Sequence, residues 1–295
     1  MTWRRPIRTL LDTRRYRIAP GERVDLGSLP TVPSFARRGK SALREMLDQY
    51  VTRFAELQEA MYAESRQALL LVFQGMDAAG KDSTIKHVTT GVNPQGFRVS
   101  NFRQPTYKDM EYSYLHRHWM TLPERGRIGI FNRSHYEEVV TLRVNPDLLA
   151  GRRLPPRPVD DAFWDERLRD IVAFESHLVG NGTTIVKFFL NISKKEQKAR
   201  LLERLNDPTK HWKFDPADLE ARARWNEYKR AYESAFEATS TKQAPWYVIP
   251  GDNKPAMRVV VAAVIVDTLA RMKPRYPEPD PAMSRAIKAA RKALA

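Results

Sequence analysis

The sequence predicts an α/β fold in which a parallel central sheet carries helices on both faces and a phosphate-binding loop at its carboxyl edge. Three observations carry that expectation. Apolar runs of strand length alternate with amphipathic stretches of helix length, the pattern of strand–helix–strand units. One such run, Ala68 to Phe73, leads directly into Gly75-Met76-Asp77-Ala78-Ala79-Gly80-Lys81-Asp82. Gly, four residues, then Gly-Lys between a strand and a helix is the spacing of a loop whose backbone N–H groups close around phosphate oxygens. The charge is also strongly basic, with 50 Lys and Arg against 35 Asp and Glu, a formal +15 over 295 residues. That excess asks for a polyanionic partner.

The elements come in a clear order. Residues 1–40 are rich in Arg, Pro and Gly with little periodicity, and read as an arm packed on the domain or on a neighbour. Leu43, Met46, Leu47, Tyr50, Val51, Phe54, Leu57 and Met61 recur at helical spacing and predict one long amphipathic helix. The first strand, the loop and a helix with Ile85, Val88 and Val92 on one face come next. Asn93-Pro94-Gln95-Gly96 is a turn before a short strand, Phe97 to Phe102. Asp109 to Thr121 reads as helix, Ile128 to Phe131 as a third strand, and Pro155, Pro156 and Pro158 as a loop. A helix is expected over Asp161 to Leu178, closed by Gly180-Asn181-Gly182, and then a buried strand over Thr184 to Leu190. Ser193 with Glu196 forms a capping box, Asp207-Pro208 breaks that helix, and Asp215-Pro216 starts the next. Trp246 to Ile249 is the last core strand, and Asn253 with Pro255 opens a helix ending near Met272. The expected organisation is an arm over 1–40, one α/β domain over 41–275 and a basic tail over 276–295, whose helix starts near Ala282. The loop then lies where such sheets bind ligands, at the carboxyl ends of the strands.

Composition excludes several classes. Without cysteine there are no disulfides and no thiolate metal sites. The longest apolar run, Val259 to Val266, is far too short to span a bilayer. The Arg-rich start has no apolar signal core, so a soluble cytoplasmic protein is expected. The histidines lack zinc-ligand spacing. No aromatic–basic platform or reading helix marks a nucleic-acid partner.

Three constellations carry the chemistry. In the first, Gly75, Ala78, Ala79, Gly80, Lys81, Asp82 and Ser83 form the phosphate cradle and the helix start behind it. The residue after the lysine is Asp82, where Ser or Thr would ordinarily touch magnesium, and Asp77 adds a carboxylate inside the loop. Two carboxylates beside phosphate call for a divalent cation between them, and magnesium takes one or two carboxylates, waters and phosphate oxygens. In the second, the third strand ends at Asn132 where a Walker B element would place Asp, and Arg133 comes next, placed to stabilise charge on a transferring phosphoryl group. Glu137 is both the far half of a Ser134-x-x-Glu137 capping box and a carboxylate facing the site. The third is the basic run Lys194 to Lys213, which includes Arg200 and Arg204 and reads as a lid over about 193–224 that brings arginines onto phosphate.

Together these residues resemble the second family of polyphosphate kinases. The resemblance covers roughly Ser41 to Met272. It rests on Gly75 to Asp82, Thr84-Ile85-Lys86-His87, Gly91 to Gly96, Ile128 to Glu137, Lys187-Phe188-Phe189-Leu190 and Ala244 to Pro250. It implies a P-loop three-layer sandwich of thymidylate-kinase-like type with a helical lid. It implies transfer of phosphoryl groups between inorganic polyphosphate and nucleotides, dependence on Mg2+ with Mn2+ as a substitute, and a homo-oligomer, often a tetramer. By resemblance Asp77, Lys81 and Arg133 are metal-, phosphate- and phosphoryl-contacting residues, with Asp82 and Glu137 as further metal candidates. The Asn132-Arg133-Ser134-His135-Tyr136-Glu137 form is similar to the subgroup that phosphorylates both AMP and ADP; members restricted to diphosphates carry Asn at the position of Glu137. The chain departs from the subgroup at Glu138, usually Asp, and over Glu111 to Arg117. Two rival readings are an ordinary nucleoside-phosphate kinase with ATP as donor and a P-loop nucleic-acid-binding protein. The first leaves the excess charge unexplained, and the second the carboxylate-rich loop.

Overall fold

The computed structural model describes residues 11–295; the arginines at 4, 5 and 8 of the expected arm lie outside them. Helix α1 (Gly39–Glu64) leads into β1 (Ala68–Gln74), whose seven residues are all buried. The chain continues through α2 (Lys81–Val88), β2 (Phe97–Asn101), two short helices, α3 (Tyr107–Met110) and α4 (His116–Trp119), and β3 (Ile128–Asn132). Then come α5 (Thr141–Val144), α6 (Asp161–Gly180), β4 (Thr183–Asn191), α7 (Lys194–Asn206), α8 (Ala217–Ala223) and α9 (Trp225–Thr239). Strand β5 (Trp246–Pro250), α10 (Lys254–Met272) and α11 (Pro281–Ala293) complete it.

All strand pairs are parallel and the order is β2-β3-β1-β4-β5. A strand covered on both faces needs no polar alternation, which is why β1 reads Ala-Leu-Leu-Leu-Val-Phe-Gln. Helices α1, α2 and α10 pack together on one side of the sheet, and α6 and α9 on the other. The eight residues Val259–Val266 are buried on every side, so this longest apolar run is a core helix. No helix among the described residues is long and apolar enough to cross a membrane. Because β1 connects toward β2 on one side while β4 lies on the other, the loop after β1 opens at the point where the strand order reverses.

The described part of the arm packs on the domain itself. Ile18 N–H donates to the Trp246 carbonyl (2.9 Å), and Arg17 bridges antiparallel to Tyr247, which covers the β5 edge. Three local expectations change. The predicted helix over Asp109 to Thr121 is two single turns. A capping box between Thr106 and Asp109 starts the first turn earlier than expected. The Tyr112-Ser113-Tyr114 stretch, of weak helix propensity, then interrupts it, with Ser113 O accepting from His116 N–H (2.8 Å). The segment after Asp215-Pro216 divides at Arg224 into α8 and α9. At Ser193 only half the box forms: Ser193 Oγ accepts from Glu196 N–H, while Ser193 N–H donates to Asp252 (2.7 Å) rather than to Glu196. The Glu196 carboxylate is turned to Arg200 instead (2.8 Å).

Candidate active site

The loop between β1 and α2 has the backbone its glycines allow. Gly75 has φ +149°, and a Cβ there would lie 3.1 Å from both the Leu190 carbonyl and Ala79 Cβ, so any side chain would be strained and crowded between β1 and β4. Ala78 occupies the left-handed region at φ +61°. Lys81, the first residue of α2, folds its ammonium over the loop and donates to Gly75 O (2.8 Å) and Met76 O (3.4 Å). Burial lowers its pKa, and Arg133 adds to that; Asp77, Glu137 and Asp82 oppose it. The charges that act on this one ammonium are therefore those the sequence singled out from two separate segments, the loop and the stretch after β3.

At the tip of β3, the Asn132 amide donates both protons, to Asp82 Oδ1 (2.7 Å) and Asn101 Oδ1 (2.7 Å), tying β2, β3 and α2 together. Asn at a Walker B position thus holds the loop-end carboxylate by hydrogen bonding. The next residue, Arg133, lies in the left-handed region (φ +60°). For a non-glycine residue this costs about 1–2 kcal/mol, and such strain persists where surrounding contacts fix it, often at functional sites. Here Arg133 N–H donates to Phe73 O (3.0 Å) and Nη2 to Asp77 Oδ1 (2.8 Å). Glu137, the largest influence, and Asp77 raise the arginine's pKa, so it stays charged.

Glu137 does not form the expected capping box. Residues His135–Glu138 make a 3-10 turn in which Ser134 Oγ accepts from Tyr136 N–H (3.2 Å) and the Ser134 carbonyl from Glu137 N–H (3.0 Å). The tighter turn leaves the Glu137 carboxylate free of the backbone. Oε2 accepts from the Thr141 hydroxyl (2.6 Å). The hydrogen-bond network orients the Gln74 amide so that it donates to Glu137 Oε1 (3.0 Å) and accepts from Ser134 N–H (3.2 Å). Glu138 points elsewhere and is buried. Arg152 (2.8 Å), Arg167 (3.5 Å) and Arg117 (3.9 Å) surround it, although burial still pushes its carboxyl up. The two departures from the subgroup pattern thus meet at the Arg117–Glu138 pair. Arg152 and Arg167 also form part of the wall of a cleft of about 330 Å3, together with Asp109, Tyr112, Tyr114 and Phe163.

The basic run forms α7 and a 3-10 segment (Pro208–Lys213), and with α8 these make up the expected lid stretch beside the loop. Its two singled-out arginines do not reach into the cradle. Arg200 is buried, and donates to Ala78 O (3.2 Å), Ala79 O (2.7 Å) and Gly251 O (2.6 Å). Its place is behind the loop, because backbone carbonyls occupy its fork. Arg204 pairs with Asp218 of α8 (2.7 Å) and donates to Lys213 O (2.8 Å), holding the lid segments to each other. Ser83 Oγ accepts from Arg258 Nη2 of α10 (2.8 Å).

The structure thus gathers Asp77, Lys81, Asp82, Arg133 and Glu137 at the carboxyl edge of the sheet. Sequence reasoning missed Gln74, Asn101, Gln197 and Tyr232 of α9, whose hydroxyl accepts from the Gln74 amide (3.2 Å); single polar residues at strand tips or on helix faces have no distinguishing spacing. Among the described residues no three His, Asp or Glu side chains converge as a metal cage. Such a donor set suits an ion that takes one or two carboxylates and completes its shell with water and phosphate oxygens, as magnesium does.

Strand order, loop and site define a P-loop kinase fold. Comparisons with known proteins then identify the family. The family model for polyphosphate kinase 2 (PPK2) matches residues 38–277. The chain is 46% identical over 273 residues to the ADP-polyphosphate phosphotransferase of Rhodopseudomonas palustris, spanning 92% of this chain and 94% of the relative. It is 43% identical over 275 residues to the AMP/ADP-polyphosphate phosphotransferase of Meiothermus ruber, spanning 93% and 99%. The crystal structure of polyphosphate kinase 2 from Arthrobacter aurescens TC1 superposes with a TM-score of 0.83 at 36% identity, over 94% of this chain and 95% of that one. The chain belongs to the polyphosphate kinase 2 family, and it is a polyphosphate-dependent nucleotide phosphotransferase. The two rival readings are set aside.

Proposed function

We propose that this enzyme moves the terminal phosphoryl group of polyphosphate reversibly onto both AMP and ADP, giving ADP and ATP, as a cytoplasmic, magnesium-dependent homotetramer. The observation that carries the acceptor range is Glu137, a carboxylate fixed by Thr141 and Gln74 next to the Arg133 and Lys81 charges. One similar protein is named for both acceptors, and another for ADP alone.

In this reading Lys81 and the loop amides hold the oxygens of the terminal donor phosphate, and Arg133 contacts the group in transit. The acceptor's phosphate oxygen is already anionic, so attack on phosphorus needs no strong general base. The bond from that phosphorus to the bridging oxygen breaks, and the chain leaves one phosphate shorter. Catalysis is positioning plus charge stabilisation. Asp77, Asp82 and Glu137 are the candidates from which one or two carboxylates would hold magnesium beside water and phosphate oxygens; when bound the ion supplies neutralisation of phosphate charge, and manganese is an alternative. The acceptor nucleoside lies against the aromatic and arginine walls of the cleft beyond Glu138.

The test incubates the full chain with magnesium, AMP or ADP, and polyphosphate or ATP, and identifies the products. ADP and ATP formed from AMP and polyphosphate are expected. Product from ADP but none from AMP would remove the dual-acceptor reading.

A further inference from the structure

We propose that Gln197 is a positioning residue for the phosphoryl donor: it sets the peptide plane that aims a loop amide at phosphate, and through it the lid controls the cradle. Within a peptide plane the C=O and N–H point in opposite directions. Gln197 Nε2 donates to the Asp77 carbonyl (3.0 Å), which turns the Ala78 N–H away from α7. Arg200 Nη1 donates to the Ala79 carbonyl (2.7 Å), which does the same for the Gly80 N–H. The intervening Ala79 N–H is used within the loop, donating to Met76 O (3.0 Å). Gln197 and Arg200, one helical turn apart on α7, therefore fix two peptide planes whose amides, like those at the start of α2, have no acceptor among the described residues.

Gln197 is itself held from the other side. It is 1% exposed, and its amide oxygen accepts from Arg222 Nη1 of α8 (2.9 Å). The same Arg222 nitrogen donates to Lys194 O (2.8 Å). A carbonyl facing one end of the amide and a guanidinium facing the other leave no freedom in its orientation. Asp77 is consequently gripped twice, at its carboxylate by Arg133 and at its carbonyl by Gln197. A shift of α7 and α8 against β1 either turns the Asp77–Ala78 peptide or releases it, because neither end of the Gln197 amide has another side-chain or backbone partner. Donor grip at the loop is in this way tied to lid position by a side chain that touches no phosphate.

The inference rests on the loop being the donor site, and the experiment separates the two. Tripolyphosphate binding to the full chain and the KM for each substrate are measured for the wild type, Gln197→Leu, Gln197→Met and Lys81→Ala. Lys81→Ala should weaken tripolyphosphate binding; if it does not, the donor-site reading fails irrespective of Gln197. Provided it does, each Gln197 variant should raise the polyphosphate KM by about tenfold, the effect of one lost hydrogen bond at the loop. The nucleotide KM should stay within twofold. The methionine variant keeps the side-chain volume should the leucine variant fail to fold. Unchanged donor affinity, or an equal rise in both KM values with a lowered Tm, would overturn the positioning role.

Discussion

At the scale of single residues, the contest is over Glu137, a helix cap or a site carboxylate. The 3-10 geometry decides the structural half, because Ser134 caps Tyr136 N–H and Glu137 turns to Thr141 and Gln74. What remains is a fixed anion within the field of Arg133 and Lys81. ADP brings one more phosphate than AMP, and so supplies anionic oxygens that Glu137 would otherwise provide. Glu137→Asn is therefore expected to cut AMP phosphorylation by roughly 10²-fold or more, the scale of losing one charged transition-state contact. ADP phosphorylation should fall far less. Parallel kcat/KM measurements with both acceptors check this; equal losses would make Glu137 a general support of the turn. Asp77, Lys81 and Arg133 are legible from residue type and spacing, since phosphate chemistry restricts the residue types that can stand just past a strand tip. Arg200 is legible as basic but not in its direction. Sequence shows charge, whereas the carbonyls of Ala78, Ala79 and Gly251 that claim its donors come together only in the fold.

Elements with strong terminal signals are the most readable. Asn253 accepting from Ala256 N–H, with proline in the first turn, starts α10 where expected, and Asp160 accepting from Phe163 N–H starts α6. The region 107–119 misleads because its aromatic and histidine residues supply helical spacing without helical propensity, and its true cap, Thr106, lies outside the periodic stretch. Helix α8 carries a feature invisible in sequence. Asp218 is buried and has its pKa raised to about 6, by burial first and then by Asp77 of the loop, despite the 2.7 Å ion pair with Arg204. A carboxyl whose pKa is higher folded than unfolded favours the fold while protonated, and that contribution is lost as pH rises through the folded value. Across pH 3.8 to about 6 the lid segment should therefore lose stability on ionisation. Asp218→Asn, which cannot ionise, is expected to match the wild type near pH 4. At pH 8 it should exceed it by on the order of 2 kcal/mol. Urea denaturation at the two pH values measures this, and a variant less stable at both would show that the Arg204 pair outweighs the desolvation.

For the molecule as a whole, alternating strands and helices foretell the parallel sheet, while the strand order needs the pairings themselves. The basic excess points to a polyanion, in agreement with the family. Least legible is the tie between the site and the core. Lys187 stands in the middle of β4 between Ile185-Val186 and Phe188-Phe189-Leu190, and the sequence offers no partner for it. In the fold its ammonium reaches Glu175 of α6 (2.5 Å), Tyr136 Oη (2.9 Å) and the Thr239 carbonyl of α9 (2.8 Å). Tyr136 belongs to the turn that carries Arg133 and Glu137, and it also donates to Glu175 (2.9 Å). Burial alone would raise the Glu175 pKa, but Lys187 and then His135 outweigh it and hold it low. One buried cluster thus fastens the site-bearing turn to β4, α6 and α9. Removing one partner strands the other charge in the core, so Lys187→Met should cost about 3–5 kcal/mol. Adding Glu175→Leu removes the stranded charge, so the double variant should recover much of that loss. Denaturation of both single variants and the double variant, read as a double-mutant cycle, measures the coupling. Strictly additive losses would mean that the two charges do not depend on each other, and that packing alone holds the turn in place.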